Sequence, residues 1–201
     1  MKNKQQHLYP GFDQLPGREE KERLLKQHSR VIWLTGLSGS GKTTIARLLE
    51  KALAAKGFIT QLLDGDNIRA GINNNLDFSD KDRSENIRRI SEVSKLFLNC
   101  GIICINSFIS PTKAIRNIAH EIIGRYNIIE IYVKASLETC EKRDTKGLYK
   151  KARAGMIEDF TGINSPYEVP ENPDIILDTD QMTVEESVEK CLKKIFPIVT
   201  Y

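Results

Sequence analysis

From residue 30 almost to residue 200, short apolar runs alternate with longer stretches whose apolar positions recur every three or four residues. The runs are Val31–Leu34, Phe58–Leu63, Gly101–Asn106, Ile128–Val133 and Ile175–Leu177, and each predicts a strand. Gly101–Asn106 (GIICIN) is apolar at nearly every position, as a strand buried on both faces would be. Lys42–Lys56 carries Ile45, Leu48, Leu49, Ala52 and Leu53 at helical spacing and stops at Gly57. Asp80–Asn99 places Ile87, Ile90, Val93, Leu96 and Phe97 on one face of a long helix. Pro111–Gly124, Leu137–Arg143 and Val184–Phe196 read as further helices. Strands alternating with helices across short turns predict an α/β domain, a parallel sheet with helices on both faces.

Residues 1–29 break this pattern. His7–Pro16 is turn-rich, with Pro10-Gly11 and Pro16-Gly17, and Arg18–His28 predicts a short, highly charged helix. Its few apolar positions, Leu24 and Leu25, suit docking on the domain or on a second subunit. The expected organisation is an N-terminal extension at 1–29 and one domain at 30–201.

Composition narrows the class. The 201 residues carry 30 Lys+Arg against 27 Asp+Glu, a net charge of +3 that is too small and too evenly mixed to imply nucleic acid as a partner. No apolar run approaches the roughly 18–20 residues that cross a bilayer, and the first residues lack the apolar core of a secretory signal. A cytoplasmic protein without a membrane partner is the expectation. Cys100, Cys104, Cys140 and Cys191 form no zinc spacing, and their apolar neighbours suit reduced, buried thiols.

The strongest motif is Gly36-Leu37-Ser38-Gly39-Ser40-Gly41-Lys42-Thr43, a full match to G-x-x-x-x-G-K-[ST] between a predicted strand and a predicted helix. Glycines let the backbone wrap a phosphate and aim its N–H groups inward, and the helix N-terminus adds positive field. Lys42 can bridge the terminal phosphates of ATP, and the Thr43 hydroxyl can bind Mg²⁺. The fold class is therefore a P-loop nucleoside-triphosphate hydrolase/kinase fold. A guanine-reading N/T-K-x-D segment is absent, and GIICIN runs into Ser107 rather than into an Mg-binding Asp. The carboxylates lie instead after the second strand, at Asp64 and Asp66, which suits a small-molecule kinase.

Residue chemistry then assigns an acceptor site at the carboxyl edge of the sheet. Asp66 is the candidate to orient an acceptor hydroxyl and take its proton, with Asp64 behind it or holding Mg²⁺ through water. Arg69 and Arg83 can grip an anion, and Arg83 and Asn86 share a helix face by i, i+3 spacing. Phe78 lies in a polar loop, where it either stacks on a base or packs back on the core. The basic segment within Glu141–Arg153 fits a lid around residues 142–160 that closes positive charge over phosphates. Ser110-Pro111 reads either as a helix N-cap with its N1 proline or as a functional hydroxyl at a strand end.

Together IWLTGLSGSGKTT, LDGDNIR, DRSENIRRI, SFISP, CEKRDTKGLYKKARAG and FTGINSPYEVPENPD resemble the adenylylsulfate kinase (APS kinase) family from Arg30 onward. The resemblance implies Mg²⁺-dependent transfer of the ATP γ-phosphate to the 3′-hydroxyl of adenylylsulfate. A homodimer, with a separate ATP sulfurylase supplying the substrate, goes with it. The implied ATP-binding residues are Gly36, Leu37, Ser38, Gly39, Ser40, Gly41, Lys42, Thr43 and Thr44, with Arg143. Asp66 faces the acceptor ribose, Arg69, Arg83 and Asn86 hold the phosphosulfate side, and Phe78 and Phe160 clamp the adenine. Ile109 and Ser110 line the pocket, and Lys146 and Leu148 belong to the lid. The family's serine at position 110 has been regarded as a phosphoserine intermediate, although in-line transfer needs no covalent step. Asp77 stands where the family commonly has Gly, and Asn164 where it has Asp. The rival readings are a kinase of the same fold acting on another small nucleotide, such as a cytidine diphosphoramidate, and a regulatory module that hydrolyses ATP slowly.

Overall fold

Five strands pair wholly in parallel in the order β2-β3-β1-β4-β5 in the computed structural model, which describes residues 14–201. They are β1 (Val31–Thr35), β2 (Thr60–Asp64), β3 (Ile103–Ser107), β4 (Ile128–Lys134) and β5 (Ile175–Asp178). Most of the turn-rich segment His7–Pro16 lies outside the described residues. Successive β1 side chains point to opposite faces, as strand geometry requires. Ile32 and Leu34 join a core with α2 (Lys42–Ala54) and α8 (Val184–Val199). Val31 and Trp33 join a second core with α4 (Asp80–Asn99) and α5 (Lys113–Ile123). All five β1 residues are buried, which is why β1 shows no polar alternation.

Several boundaries differ from the sequence reading, each for a local reason. The first helix, α1 (Arg18–Leu25), stops at Leu25 because Lys26 turns left-handed at φ 52. That frees Gln27, which is buried and clamps the start of β2: its Oε1 accepts from Ile59 N at 2.8 Å, and its Nε2 donates to the Gly101 carbonyl at 2.7 Å. Of the two expected docking leucines, Leu25 is half-buried beside Gly101 whereas Leu24 is 74% exposed, and polar contacts add to the docking of α1. The buried Glu22 carboxylate accepts from Arg18 Nε at 2.7 Å, Ser29 N at 2.8 Å and Ser29 Oγ at 2.6 Å. The helix expected from Pro111 starts at Lys113, because Thr112 and not Ser110 is its cap, accepting from Ile115 N at 3.3 Å. The last helix passes Phe196 to Val199 although Pro197 lies inside it and has no N–H to donate to the carbonyl four residues back. Two short helices went unread: α3 (Gly65–Ala70) and α7 (Leu148–Arg153), the latter following α6 (Leu137–Arg143) inside the basic segment.

Candidate active site

The carboxyl ends of β1, β2, β3 and β5 open into a pocket of about 660 Å³, the edge where open α/β sheets place ligands. Its floor is the phosphate loop between β1 and α2. Gly36 and Gly39 have φ +151 and +74, and no side chain fits at either. A Cβ at 36 would run into the Val133 carbonyl, and one at 39 would lie 2.9 Å from the Cys140 carbonyl. Side chains outside the motif also tie the loop down. Tyr149 Oη donates to the Ser38 carbonyl at 2.8 Å, and Thr179 Oγ1 donates to the Ser40 carbonyl at 3.0 Å. Arg143 stands over the same corner, donating to the Thr179 carbonyl at 2.7 Å and to Thr179 Oγ1 at 3.0 Å.

Lys42 is almost wholly buried and folds back onto its own loop, donating to the Leu37 carbonyl at 2.7 Å. Burial pulls its pKa down from 10.5 to about 8, and Lys146 pushes the same way, against Cys140, Asp64 and Asp66. Thr43 Oγ1 donates to Asp64 Oδ2 at 2.8 Å and lies 3.3 Å from Ser107 Oγ. Asp64 is also the N-cap of α3, accepting from Asp66 N at 3.2 Å. Among the described residues no cluster of three or more His, Cys, Asp or Glu side chains could enclose a metal. One carboxylate beside two hydroxyls is a hard-oxygen set that suits Mg²⁺, which takes most of its ligands from water and phosphate.

Opposite the loop stand the acceptor candidates. Asp66, on α3, is ion-paired with Lys146 from the turn between α6 and α7. The Arg69 guanidinium lies 4.4 Å from the Phe78 ring centre and donates to the Asp77 carbonyl at 2.8 Å. Arg83 donates to the Phe78 carbonyl at 2.7 Å, to Thr161 Oγ1 at 2.6 Å and to the Asp159 carbonyl, so it joins α4 to the end of the lid segment. Asn86 is buried and accepts from Asn73 Nδ2 at 2.9 Å, which leaves its own amide N–H groups to face the pocket. Asp77 does not occupy the left-handed region that a glycine would be needed for. Its carboxylate instead accepts from Ser79 N at 2.8 Å and shapes the entry to α4; those Ser79 contacts hold its pKa below the usual carboxylate range. Asn164 accepts from Phe160 N at 2.5 Å.

The pocket thus gathers Ser38–Thr44, Asp64, Asp66, Arg69, Phe78, Arg83, Asn86, Ile109, Ser110, Arg143 and Lys146. Gly36, Leu37, Leu148 and Phe160 do not line it. Phe160, expected across from Phe78, packs edge-on against Tyr149 with ring centres 4.9 Å apart, in a cluster with Cys140 and Ala152. Ser110 is buried, accepts from Trp33 Nε1 at 3.1 Å and sits at φ +39. Sequence reasoning passed over Tyr149 and Thr179. Thr179 was readable, since it follows β5 at the same carboxyl edge, whereas Tyr149 sat inside a run dominated by lysines and arginines.

The adenylylsulphate kinase family profile matches residues 28–178. An adenylyl-sulfate kinase of Bacteroides thetaiotaomicron is 59% identical over 191 residues, covering 95% of this chain and 95% of that protein. Among solved structures, the Mycobacterium tuberculosis APS kinase CysC in complex with AMPPNP and APS superposes with a TM-score of 0.81 at 42% identity. That match covers 84% of this chain and 98% of the other. A hexameric APS kinase from Thiobacillus denitrificans gives a TM-score of 0.65 at 28% identity, covering 86% of this chain and 30% of that one.

Proposed function

From the premise that the chain belongs to the adenylylsulfate kinase family, we propose how its own residues perform ATP-dependent phosphorylation of adenylylsulfate at the 3′-hydroxyl. The observation that carries the reading is the placement of Asp66 between two half-sites of one pocket, the phosphate loop on one side and Arg69, Phe78, Arg83 and Asn86 on the other. ATP lies along Ser38–Thr44, where loop N–H groups and the N-terminus of α2 receive the phosphates. Lys42 turns from the Leu37 carbonyl to the β- and γ-phosphates, and Arg143 adds charge from the lid side. Thr43 and Asp64, with Ser107 beside them, would hold Mg²⁺, which would neutralise charge on the phosphate oxygens.

The acceptor ribose presents its 3′-oxygen to Asp66. The oxygen forms a bond to the γ-phosphorus as the bond to the β-phosphate bridging oxygen breaks, ADP leaves, and Asp66 takes the hydroxyl proton. Lys146, already paired with Asp66, is placed to follow the charge onto the transferring group and to close the lid against water. Arg69 and Arg83 supply positive charge to the phosphosulfate, and Phe78 offers a ring for the adenine. Ser110 forms no covalent intermediate in this reading: its hydroxyl is taken by Trp33, and in-line transfer needs none. A homodimer in the cytoplasm, fed by an enzyme that forms adenylylsulfate, completes the proposal; no helix among the described residues is long and apolar enough to cross a membrane.

The test is product analysis by mass after incubation with Mg²⁺-ATP and adenylylsulfate, with cytidine nucleotides in a parallel tube. One ADP per 3′-phosphoadenylylsulfate is the expected result. ATP binding with adenylylsulfate untouched, or a cytidine product in its place, would sink the acceptor assignment.

A further inference from the structure

We propose that Arg116, with Glu130 as its counter-ion, is the positioning residue for the acceptor wall of the site; the role rests on the reading of Ile109–Ser110 as part of the acceptor pocket. Ser110 is a non-glycine residue at φ +39, a conformation that persists only where the surroundings impose it. Three side chains hold this corner from behind. Trp33 Nε1 donates to Ser110 Oγ at 3.1 Å, Thr35 Oγ1 donates to the Ile109 carbonyl at 2.7 Å, and Arg116 Nη1 donates to the Ser110 carbonyl at 3.0 Å. Trp33 and Thr35 sit on the central strand, so their reach is set by the sheet. Of these three side chains, Arg116 is the one that sits on a helix, α5, and so ties the corner to the helical layer.

Arg116 is 6% exposed and Glu130 9%. Arg116 Nε lies 3.4 Å from Glu130 Oε1, and His120 Nε2 lies 3.6 Å from Glu130 Oε2. Glu130 Oε1 has no hydrogen-bond partner among the described residues, so the carboxylate serves there mainly as charge balance. A buried ion pair is rarely more stabilising than apolar side chains of the same volume. What an apolar pair could not supply is a buried donor for the Ser110 carbonyl. The space between Trp33, Arg116, His120 and Glu130 is about 10 Å³, too small for any part of a substrate. The cluster therefore acts through Ser110, and its effect belongs in acceptor binding.

The experiment uses the full chain and compares wild type with Arg116→Met, Arg116→Met/Glu130→Met and Arg116→Lys, reading Tm, kcat and the KM values for ATP and adenylylsulfate. Arg116→Met strands the Glu130 charge and lowers Tm, and the double variant recovers it. The decisive expectation is that the recovered double variant keeps a KM for adenylylsulfate raised about tenfold, while its KM for ATP stays within about twofold. A recovered Tm with a wild-type KM for adenylylsulfate would overturn the proposal, as would equal rises in both KM values. Should the double variant fail to fold, Arg116→Lys keeps the charge beside Glu130 but loses the guanidinium fork, and the same split is expected of it. If wild type itself leaves adenylylsulfate unchanged, the functional reading has failed and the positioning claim is judged on Trp33. Trp33 is the chain's single tryptophan, so its indole N–H gives one resonance. Hydrogen exchange at that N–H is expected to quicken in the folded Arg116 variants, and unchanged exchange would overturn the claim.

Discussion

Lys42 is charged at a cost because it is buried, and nucleotide binding should remove that cost in a measurable way. The side chain is 7% exposed, and burial brings its pKa from 10.5 to about 8. At 1.36 kcal/mol per pH unit, keeping the ammonium protonated inside the folded protein costs about 3 kcal/mol relative to the unfolded chain. Because the folded value lies below the unfolded one, the unfolded chain binds more protons between pH 8 and 10.5. The nucleotide-free protein therefore gains stability as pH rises through that window. A triphosphate set against the ammonium restores its pKa, so binding takes up a proton wherever free Lys42 is neutral. With a pKa of about 8, uptake is about 0.1 proton at pH 7 and about 0.9 at pH 9. Affinity for ATP then falls about tenfold per pH unit above 8. Titration calorimetry with Mg²⁺ and a non-hydrolysable ATP analogue, run at each pH in two buffers of different protonation enthalpy, reads this uptake directly. Binding heats at pH 9 that do not depend on the buffer, or an uptake that survives Lys42→Met, would refute the reasoning.

Three further outcomes follow from the same geometry. Asp66→Asn keeps the shape of the acceptor site but removes the proton acceptor, so kcat should drop about 100- to 10,000-fold while the ATP analogue binds as before; unchanged turnover would remove Asp66 from the chemistry. Gly39→Ala sets a methyl 2.9 Å from the Cys140 carbonyl at a left-handed position, and the backbone term alone costs about 1–2 kcal/mol. Analogue binding should therefore weaken about tenfold, and calorimetry showing wild-type affinity would mean the loop gives way cheaply. Burial raises the Glu22 pKa, but hydrogen bonds from Ser29, Arg18 and His28 outweigh it and hold the group at about 2. Its contribution is thus complete above pH 4.5 and is lost as pH falls towards 2. Urea denaturation of Glu22→Gln should show a deficit of about 1–3 kcal/mol at pH 7 that closes over that range, and a deficit independent of pH would contradict the account.

Elements whose burial is regular were legible in the chain, and elements set by a few contacts were not. β1 and β3 announced themselves because every position is buried, and α2 and α4 because one face of each packs on the sheet. The phosphate loop was legible for a different reason: glycine is the only residue that fits at 36 and 39, so geometry writes itself into composition. A six-residue helix such as α3 is too short for a period to show, and its Asp64 cap resembled any turn aspartate. Ser110 and Thr112 each offer a cap two residues apart, and Thr112 prevails because the Ser110 backbone is left-handed and its hydroxyl is taken by Trp33. Phe160 was set against Phe78 by analogy of motif, and its contact with Tyr149 was hidden because no local pattern names that partner.

The order of the sheet has a consequence for how the protein comes into being. β1 carries the phosphate loop, yet its only partners are β3 and β4, which start at Ile103 and Ile128. Among the described residues before Ile103 no strand pairs with it, although α2 and α4 can pack on its faces. At about 5–20 residues per second of synthesis, the VIWLT segment stays unpaired for several seconds after it leaves the ribosome, with both faces apolar. Pairings this distant in the chain also make the folding step itself slow. The contacts that hold the phosphate loop come later still, from the Val133 and Cys140 carbonyls and from Tyr149 and Thr179. Nascent chains halted before β4 should be prone to aggregate, and those that extend past Thr179 should begin to bind nucleotide.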